Sequence, residues 1–179
     1  MTQKMKVGGT LLTEEQIKSK VKELAMQISR DYPKEERLLV VGILKGCFIF
    51  ISDLVRQMDL DVEVQFMQVS SYGSGMESGG NIHIKKDLDV DIKGRHVLIA
   101  EDIVDSGNTL SKLVPFLQKR NPASVKVCAL LSKPDRRQVE FEADYTGFVI
   151  PDKYIVGYGL DLDESYRNLP YIAEMEPEK

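Results

Sequence analysis

The sequence predicts an α/β fold with a central, mostly parallel sheet flanked by helices. Continuous apolar runs of strand length occur at Leu38–Leu44 and Val97–Ala100, and an amphipathic helical stripe follows each of them. Such runs are typical of parallel strands buried on both faces, and parallel strands need long crossover connections. The 179 residues, of which 42% are hydrophobic and 29% charged, fit a single domain that spans residues 1–179.

The first predicted element is a core helix that begins at a capping box. Thr13 is the N-cap, and Gln16 stands three residues after it. Tyr32-Pro33 ends the helix, because a residue before proline avoids helical dihedral angles. The buried stripe is predicted to consist of Ile17, Val21, Leu24 and Ile28.

The strand Leu38–Leu44 leads through Lys45-Gly46 into a second helix. This turn would lie at the carboxyl edge of the sheet, where open α/β sheets bind their ligands. The residues alone leave two interpretations open, an ordinary turn with a solvated lysine or part of a binding site. The stripe of the helix is predicted to consist of Phe48, Ile51, Leu54, Val55 and Met58.

A third strand and a glycine-rich segment follow. Apolar residues alternate from Val62, and a phase slip between Phe66 and Met67 predicts a bulge. The segment from Ser71 to Asn81 contains four glycines, so we expect a mobile loop that acts as a lid over a ligand. The basic segment Ile82–Lys86 has no assigned role.

The strand Val97–Ala100 is followed by two acids, Glu101 and Asp102, and by a small polar turn, residues 105–109. Gly107 permits a positive φ there, and the successive N–H groups of such a turn form an anion nest at the start of a helix. Paired carboxylates beside the nest suit the hydroxyls of a sugar phosphate. The alternative on turn chemistry alone is a capped turn with solvated acids.

The next helix, residues 110–120, contains Pro115 and is stopped by Asn121-Pro122. A further strand, residues 125–131, then ends at Lys133-Pro134. A lysine in this position is usually a solvated strand terminus, but the ligand edge of the sheet makes it a candidate site residue.

Composition and motifs argue against several classes of protein. The net charge of −4 disfavours a nucleic-acid surface, and no apolar run is long enough to cross a bilayer. The N-terminal residues lack the apolar core of a signal peptide, so a cytoplasmic location is expected. Cys47 and Cys128 are interpreted as reduced, packed thiols, and His83 and His96 lack zinc-ligand spacing.

Residues 97–110, VLIAEDIVDSGNTL, closely resemble the phosphoribosyl-pyrophosphate (PRPP) motif of the type I phosphoribosyltransferases. The tail, residues 151–161 and 166–170, is similar to the hypoxanthine-guanine branch of that family. The resemblance implies the type I phosphoribosyltransferase fold, with a small hood from the chain termini and a flexible catalytic loop. It further implies transfer of 5-phosphoribosyl from PRPP to N9 of hypoxanthine or guanine, Mg²⁺ dependence, and a homodimer or homotetramer.

The resemblance also implies a role for each matching residue. Asp105 would be the general base near purine N7 or N9. PRPP and its 5-phosphate would be bound by Glu101, Asp102, Asp105, Ser106, Gly107, Asn108 and Thr109. Pyrophosphate would meet Lys45, Gly46 and Arg167, with a strained, cis peptide expected before Lys45. The flexible loop would contribute Ser71 and Tyr72, the purine would meet Lys133, Tyr154 and Ile155, and the metal ligands would be Glu101, Asp102 and Asp161.

Alternatives remain open at this point. Tyr154 also fits a simple core position, and Arg167 fits a surface ion pair. A phosphoribosyltransferase for xanthine, adenine or a pyrimidine is a rival function, although Lys133 argues against adenine because it would face the 6-amino group with another donor. A second rival is a regulator that retains the PRPP fold and binds RNA.

Overall fold

The computed structural model describes residues 4–71 and 82–178, without the side chain of Ser71. Its helices are α1 (Glu14–Asp31), α2 (Phe48–Gln57) and α3 (Leu110–Gln118), with a short 3₁₀ helix at Pro134–Arg136. Its strands are β1 (Met5–Leu12), β2 (Leu38–Leu44), β3 (Val62–Ser71), β4 (Ile82–Lys86), β5 (His96–Val104), β6 (Ser124–Ser132), β7 (Tyr145–Val149), β8 (Ile155–Val156) and β9 (Ile172–Pro177).

A six-stranded sheet in the order β4-β3-β2-β5-β6-β7 forms the centre of the molecule. All neighbouring strands are parallel except β4, which pairs antiparallel with β3. Residues of α1 and α2 pack with one face of the sheet, and residues of α3 pack with the other. The predicted α/β class with helices on both faces is therefore confirmed.

The strand that carries the acidic pair is longer than predicted. Glu101 and Asp102 lie inside β5, in register with the next strand, where Glu101 pairs with Ala129 and Ile103 pairs with Leu131. The expectation that the acids follow the strand was therefore wrong. Ile103 and Val104 continue the pairing of β5 with β6, so the two carboxyl groups lie within the sheet rather than beyond the end of the strand.

A second sheet joins the two ends of the chain. It has three antiparallel strands in the order β1-β9-β8, so the N-terminal strand pairs with the last strand of the chain. This small sheet, together with the segment between β8 and β9 (residues 157–171), is the hood that the family resemblance implies. The sequence analysis expected a hood but identified neither β1 nor β9.

The helices begin and end close to their predicted limits. Thr13 and Gln16 form both hydrogen bonds of the capping box, and the predicted stripe of α1 is buried. Phe48 was wrongly assigned to the core, since it is 43% exposed and Phe50 is buried instead. The irregularity of β3 lies between Gln68 and Val69, two residues after the predicted bulge, where β3 pairs with β4.

Most of the predicted mobile loop from Ser71 to Asn81, including Tyr72, lies outside the described residues, so its role as a lid stays a prediction. Among the helices in the described ranges, none is long and apolar enough to cross a membrane.

Candidate active site

The turn after β5 has the geometry of an anion nest. Gly107 has φ +80°, and the Oγ of Ser106 accepts a hydrogen bond from the Asn108 N–H at 3.3 Å. Thr109 is the N-cap of α3, so the positive end of the helix dipole follows directly. The turn and the ends of β2 and β5 line a cavity of about 200 Å³ that includes Glu101. This arrangement can bind a phosphate group.

The acidic pair of β5 is held away from water. Burial raises the pKa of Glu101 well above its usual range, and the neighbouring Asp102 carboxylate adds to the shift. Burial also raises the pKa of Asp102, although a hydrogen bond from the Ile103 N–H at 2.8 Å and the charge of Arg167 act in the opposite direction. Among the described residues, Oε2 of Glu101 has no hydrogen-bond partner. A donor or a cation beside Oε2 of Glu101 would favour the ionised form of the pair.

The turn between β2 and α2 lies directly against the acidic pair. The Leu44–Lys45 peptide is cis, as the sequence analysis anticipated. Gly46 is in contact with Asp102 so closely that a β-carbon on Gly46 would overlap the carboxylate. The structure thus brings the predicted pyrophosphate turn to the acidic pair, while the Lys45 side chain itself is 56% exposed.

The hood contributes an ion-pair network to the same turn. Lys45 Nζ lies 2.8 Å from Glu164 Oε1, and Arg167 Nη2 lies 3.1 Å from Glu164 Oε2 and 3.0 Å from Asp161 Oδ1. Arg167 also donates to the carbonyl of Gly159 at 2.8 Å. Arg167 forms ion pairs, as the alternative interpretation expected, but its side chain is only 19% exposed. Glu164 closes the network, and the sequence analysis did not single it out.

The residues predicted to meet the purine lie at the end of β6 and at the start of β8. Lys133 is buried, its N–H donates to the Val104 carbonyl at 2.9 Å, and its Nζ donates to the Lys153 carbonyl at 2.6 Å. Tyr154 is 73% exposed, which rules out the alternative of a core position. Ile155 begins β8 and is buried. The structure therefore places Lys133 beside the end of β5 and leaves the Tyr154 ring free for stacking.

Asp105 stands at the mouth of the nest, where it pairs with a residue that the sequence analysis missed. Its Oδ1 accepts a hydrogen bond from Arg136 Nε at 3.0 Å, and Arg136 Nη1 lies 3.6 Å from Asp152 Oδ1. The two carboxylates raise the pKa of Arg136. Arg136 follows Lys133-Pro134 at the ligand edge of the sheet. This position is the feature of the sequence that could have identified Arg136 as a site residue. Nothing in the local sequence indicates its pairing with Asp105, 31 residues away.

The residues present fit a hard cation such as Mg²⁺. Glu101 and Asp102 supply oxygen ligands, and the unpartnered Oε2 of Glu101 is an acceptor that needs a positive charge or a donor. In residues 4–71 and 82–178, no three acidic, histidine or cysteine side chains converge to hold an ion by themselves. Such an ion would take its remaining ligands from substrate and water. Asp161 is occupied by Arg167 and by the N–H of Glu164.

A family model, the phosphoribosyl transferase domain, matches residues 8–163. The chain belongs to the phosphoribosyltransferase family. The residues matched include the acidic pair, the nest, the cis turn and Lys133, whereas Glu164 and Arg167 lie just beyond the matched range.

Similar proteins narrow the branch of the family. The chain is 53% identical over 166 residues to the hypoxanthine-guanine phosphoribosyltransferase of Aquifex aeolicus, which is 93% of both chains. It is 48% identical over 167 residues to the hypoxanthine phosphoribosyltransferase of Haemophilus influenzae, covering 92% of this chain and 93% of the relative. A crystal structure of a hypoxanthine-guanine phosphoribosyltransferase from Bacillus anthracis superimposes with a TM-score of 0.89 at 45% identity, covering 97% and 99% of the two chains.

Proposed function

We propose that the protein is a purine salvage enzyme that transfers 5-phosphoribosyl from PRPP to N9 of hypoxanthine or guanine. The products would be the corresponding nucleoside monophosphate and pyrophosphate. The observation that carries this function is the contact of Gly46 with Asp102, which joins the predicted pyrophosphate turn to the acids beside the phosphate nest. Family membership and close hypoxanthine-guanine relatives support the same reaction.

The reaction exchanges one bond at the anomeric carbon for another. The C1–O bond to diphosphate breaks with its electron pair on the diphosphate, the N9–C1 bond forms, and the purine loses one proton. Asp105 is the proposed acceptor of that proton, because its carboxylate is 42% exposed at the mouth of the nest. Positive charge that develops on the ribose is stabilised by nearby carboxylates, and catalysis consists mainly of placing charge.

PRPP would be held at both of its ends. The N–H groups and hydroxyls of the nest, from Asp105 to Thr109, bind the 5-phosphate, and Glu101 and Asp102 accept hydrogen bonds from the ribose hydroxyls. The backbone of Lys45-Gly46 and the guanidinium of Arg167 bind the pyrophosphate. In support of this placement, Arg167 lies close enough to Asp102 for its charge to oppose the rise in the pKa of that carboxyl that burial causes.

The base would be recognised by its 6-oxo group. Lys133 donates to that oxygen, which requires its Nζ to exchange the Lys153 carbonyl for the substrate. A 6-amino purine presents a donor to the same ammonium group and is rejected, because two donors cannot pair. The exposed ring of Tyr154 stacks on the base, and the backbone of Ile155 meets its edge.

Mg²⁺ is the proposed cofactor. Glu101 and Asp102 would hold it, directly or through water and the ribose hydroxyls. Asp161 would support a second ion once it releases Arg167. When bound, the ion neutralises charge on the leaving diphosphate. Its arrival would also explain how two buried acids with raised pKa values become ionised in the working enzyme.

A homodimer or homotetramer in the cytoplasm is the proposed state of the protein. The two cysteines are buried and unpaired, as expected where thiols stay reduced. Sedimentation analysis with and without PRPP measures the oligomeric state, and a monomer at micromolar concentration contradicts it.

Product formation from PRPP with each free base in turn tests the proposed reaction. We expect turnover with hypoxanthine and guanine, dependence on Mg²⁺, and none with adenine or a pyrimidine. Turnover with xanthine alone would move the enzyme to another branch of the family. Binding to RNA with no turnover of any base would favour the regulatory rival.

A further inference from the structure

A buried arginine follows the candidate site residues, and the proposed mechanism does not use it. Nη1 of Arg137 donates to the carbonyl of Val104 at 2.7 Å, to the carbonyl of Asp105, and to the carbonyl of Lys133 at 3.3 Å. Asp105 is the proposed general base, and Lys133 is the proposed reader of the base. One side-chain nitrogen therefore touches the backbone of both residues.

The rest of the guanidinium is also engaged. Nη2 donates to Ser132 Oγ at 2.7 Å, and Nε donates to the Phe141 carbonyl at 2.9 Å. The side chain of Arg137 is 11% exposed, and its one carboxylate neighbour, Glu142, lies 3.7 Å away and is itself 71% exposed. The partners of this charge are thus mainly backbone carbonyls and a hydroxyl rather than an acid.

This set of partners requires an arginine. A planar fork of five N–H donors can bond several carbonyls that lie in different directions, whereas a lysine has three donors at one point. The Val104 carbonyl accepts both the Lys133 N–H at 2.9 Å and Arg137, and the Asp105 carbonyl lies just beyond the end of β5. Arg137 consequently fixes the peptide orientation on both sides of the Val104–Asp105 bond.

The residue after Arg137 supports the phosphate nest. The N–H of Gln138 donates to the Ser106 carbonyl at 3.0 Å, and Gln138 Oε1 accepts a hydrogen bond from Asn108 Nδ2 at 2.6 Å. A β-carbon on Gly107 would lie 3.2 Å from the β-carbon of Phe141. Residues 137–141 therefore pack against the outer side of the nest.

We propose that Arg137 is a positioning residue that sets the distance between the 5-phosphate nest and the base-reading lysine, with Gln138 as its partner on the phosphate side. The proposal rests on the proposed function, because it takes the nest as the site that binds PRPP and Lys133 as the residue that binds the base. The nest holds PRPP by its 5-phosphate, and Lys133 holds the base by its 6-oxo group. Arg137, which bonds the backbone of both turns, would thereby align the anomeric carbon of PRPP with N9 of the base. A displacement of about 1 Å in such a system costs about 10²-fold in rate.

The test compares two substitutions of Arg137 with a matched arginine elsewhere. Arg137→Lys and Arg137→Met should lower kcat about 10- to 100-fold and raise the KM for both PRPP and the base. Arg120→Met is the control, because Arg120 bonds both oxygens of Asp87 at 3.0 and 2.6 Å beyond the far end of α3. It should lower Tm with kinetic constants unchanged. Normal kinetic constants in Arg137→Lys, with a lowered Tm only, overturn the proposal.

Two further measurements keep the proposal testable if the Arg137 variants fold poorly. Gln138→Ala alters an exposed side chain and should raise the KM for PRPP several-fold while the KM for the base stays constant; an unchanged KM for PRPP counts against the proposal. Guanidinium ion, far below denaturing concentrations, should restore part of the kcat of Arg137→Ala. Absence of turnover in the unaltered enzyme with hypoxanthine and guanine refutes the proposed function itself, which separates the two failures.

Discussion

Gly46 and Asp102 are in direct contact across two neighbouring parallel strands. Gly46 follows β2 and Asp102 lies within β5, and the space that a β-carbon would need at Gly46 is filled by the carboxylate. Gly159 in the hood approaches the opposite side, where a β-carbon would overlap the Gly46 carbonyl. The turn is therefore held between the acidic pair and the hood, and each of the two close approaches requires a glycine.

Gly46→Ala should damage the site more than the fold. The added methyl group must displace the turn or the Asp102 carboxylate, so we expect the KM for PRPP to rise about tenfold or more. Gly9→Ala is the matched control, since no atom lies within 4 Å of a β-carbon at Gly9. Steady-state kinetics and thermal unfolding of both variants make the comparison. Equal kinetics in the two variants would show that the contact has no role in binding.

Local signals predicted the elements that carry the site, because each has a pattern of its own. The capping box of α1, the apolar run of β2 and the glycine of the nest need no knowledge of distant residues. The limits of β5 were missed for a physical reason. Two adjacent acids are typical of a strand end, and only pairing with Ala129 and Leu131 reveals that the strand continues through them.

Long-range partners are the part that the sequence could not supply. Lys45 meets Glu164 across 119 residues, and Asp105 meets Arg136 across 31. No periodicity or motif encodes such pairs, since charged residues at these positions are equally compatible with solvated surface. The same limit applies to the hood, whose first and last strands pair across nearly the whole chain.

Glu101→Gln should reduce the loss of stability that occurs as the pH rises. The folded protein holds a proton on Glu101 above the usual value of 4.5, whereas the unfolded chain releases it there, so folding stability falls as the pH rises through this window. The glutamine variant removes that cost, and its Tm near neutral pH should exceed that of the unaltered protein by a few degrees, roughly the effect of 1 kcal/mol. Its turnover should be strongly impaired.

Glu164→Gln should change the pH dependence of folding stability in the opposite direction. Hydrogen bonds from Lys45 and Arg167 lower the pKa of Glu164, so its contribution to stability is present above the usual value and is lost as the pH falls. Thermal unfolding measured between about pH 4 and pH 8 distinguishes the two variants. Parallel pH profiles in both would contradict the assignment of Glu101 as a buried acid.

Lys45→Ala should retain most of the turnover, whereas Arg167→Ala should not. The Lys45 side chain is 56% exposed and bonds Glu164, and the proposed pyrophosphate donors of its turn are backbone N–H groups. Arg167 contributes a guanidinium whose loss removes charge-assisted hydrogen bonds, which should raise the KM for pyrophosphate in the reverse reaction about tenfold or more. The reverse reaction with nucleoside monophosphate and pyrophosphate measures both variants. A larger loss in Lys45→Ala would transfer the pyrophosphate contact to its side chain.

Asp105→Asn should lower kcat about 10²- to 10⁴-fold, because it removes the proposed proton acceptor while it keeps the shape of the turn. PRPP should still bind with near-normal affinity, since the nest N–H groups are unchanged. An alternative role as a helix cap predicts normal turnover, but α3 has Thr109 at its N-cap, and Asp105 bonds Arg136 instead.

Asp152→Asn removes the other carboxylate beside Arg136 and serves as the control, with kcat expected near that of the unaltered enzyme. Measurement of kcat, PRPP affinity and Tm for both variants decides the matter. If the two aspartate variants lose kcat equally, the essential group is Arg136 and the proton has another acceptor.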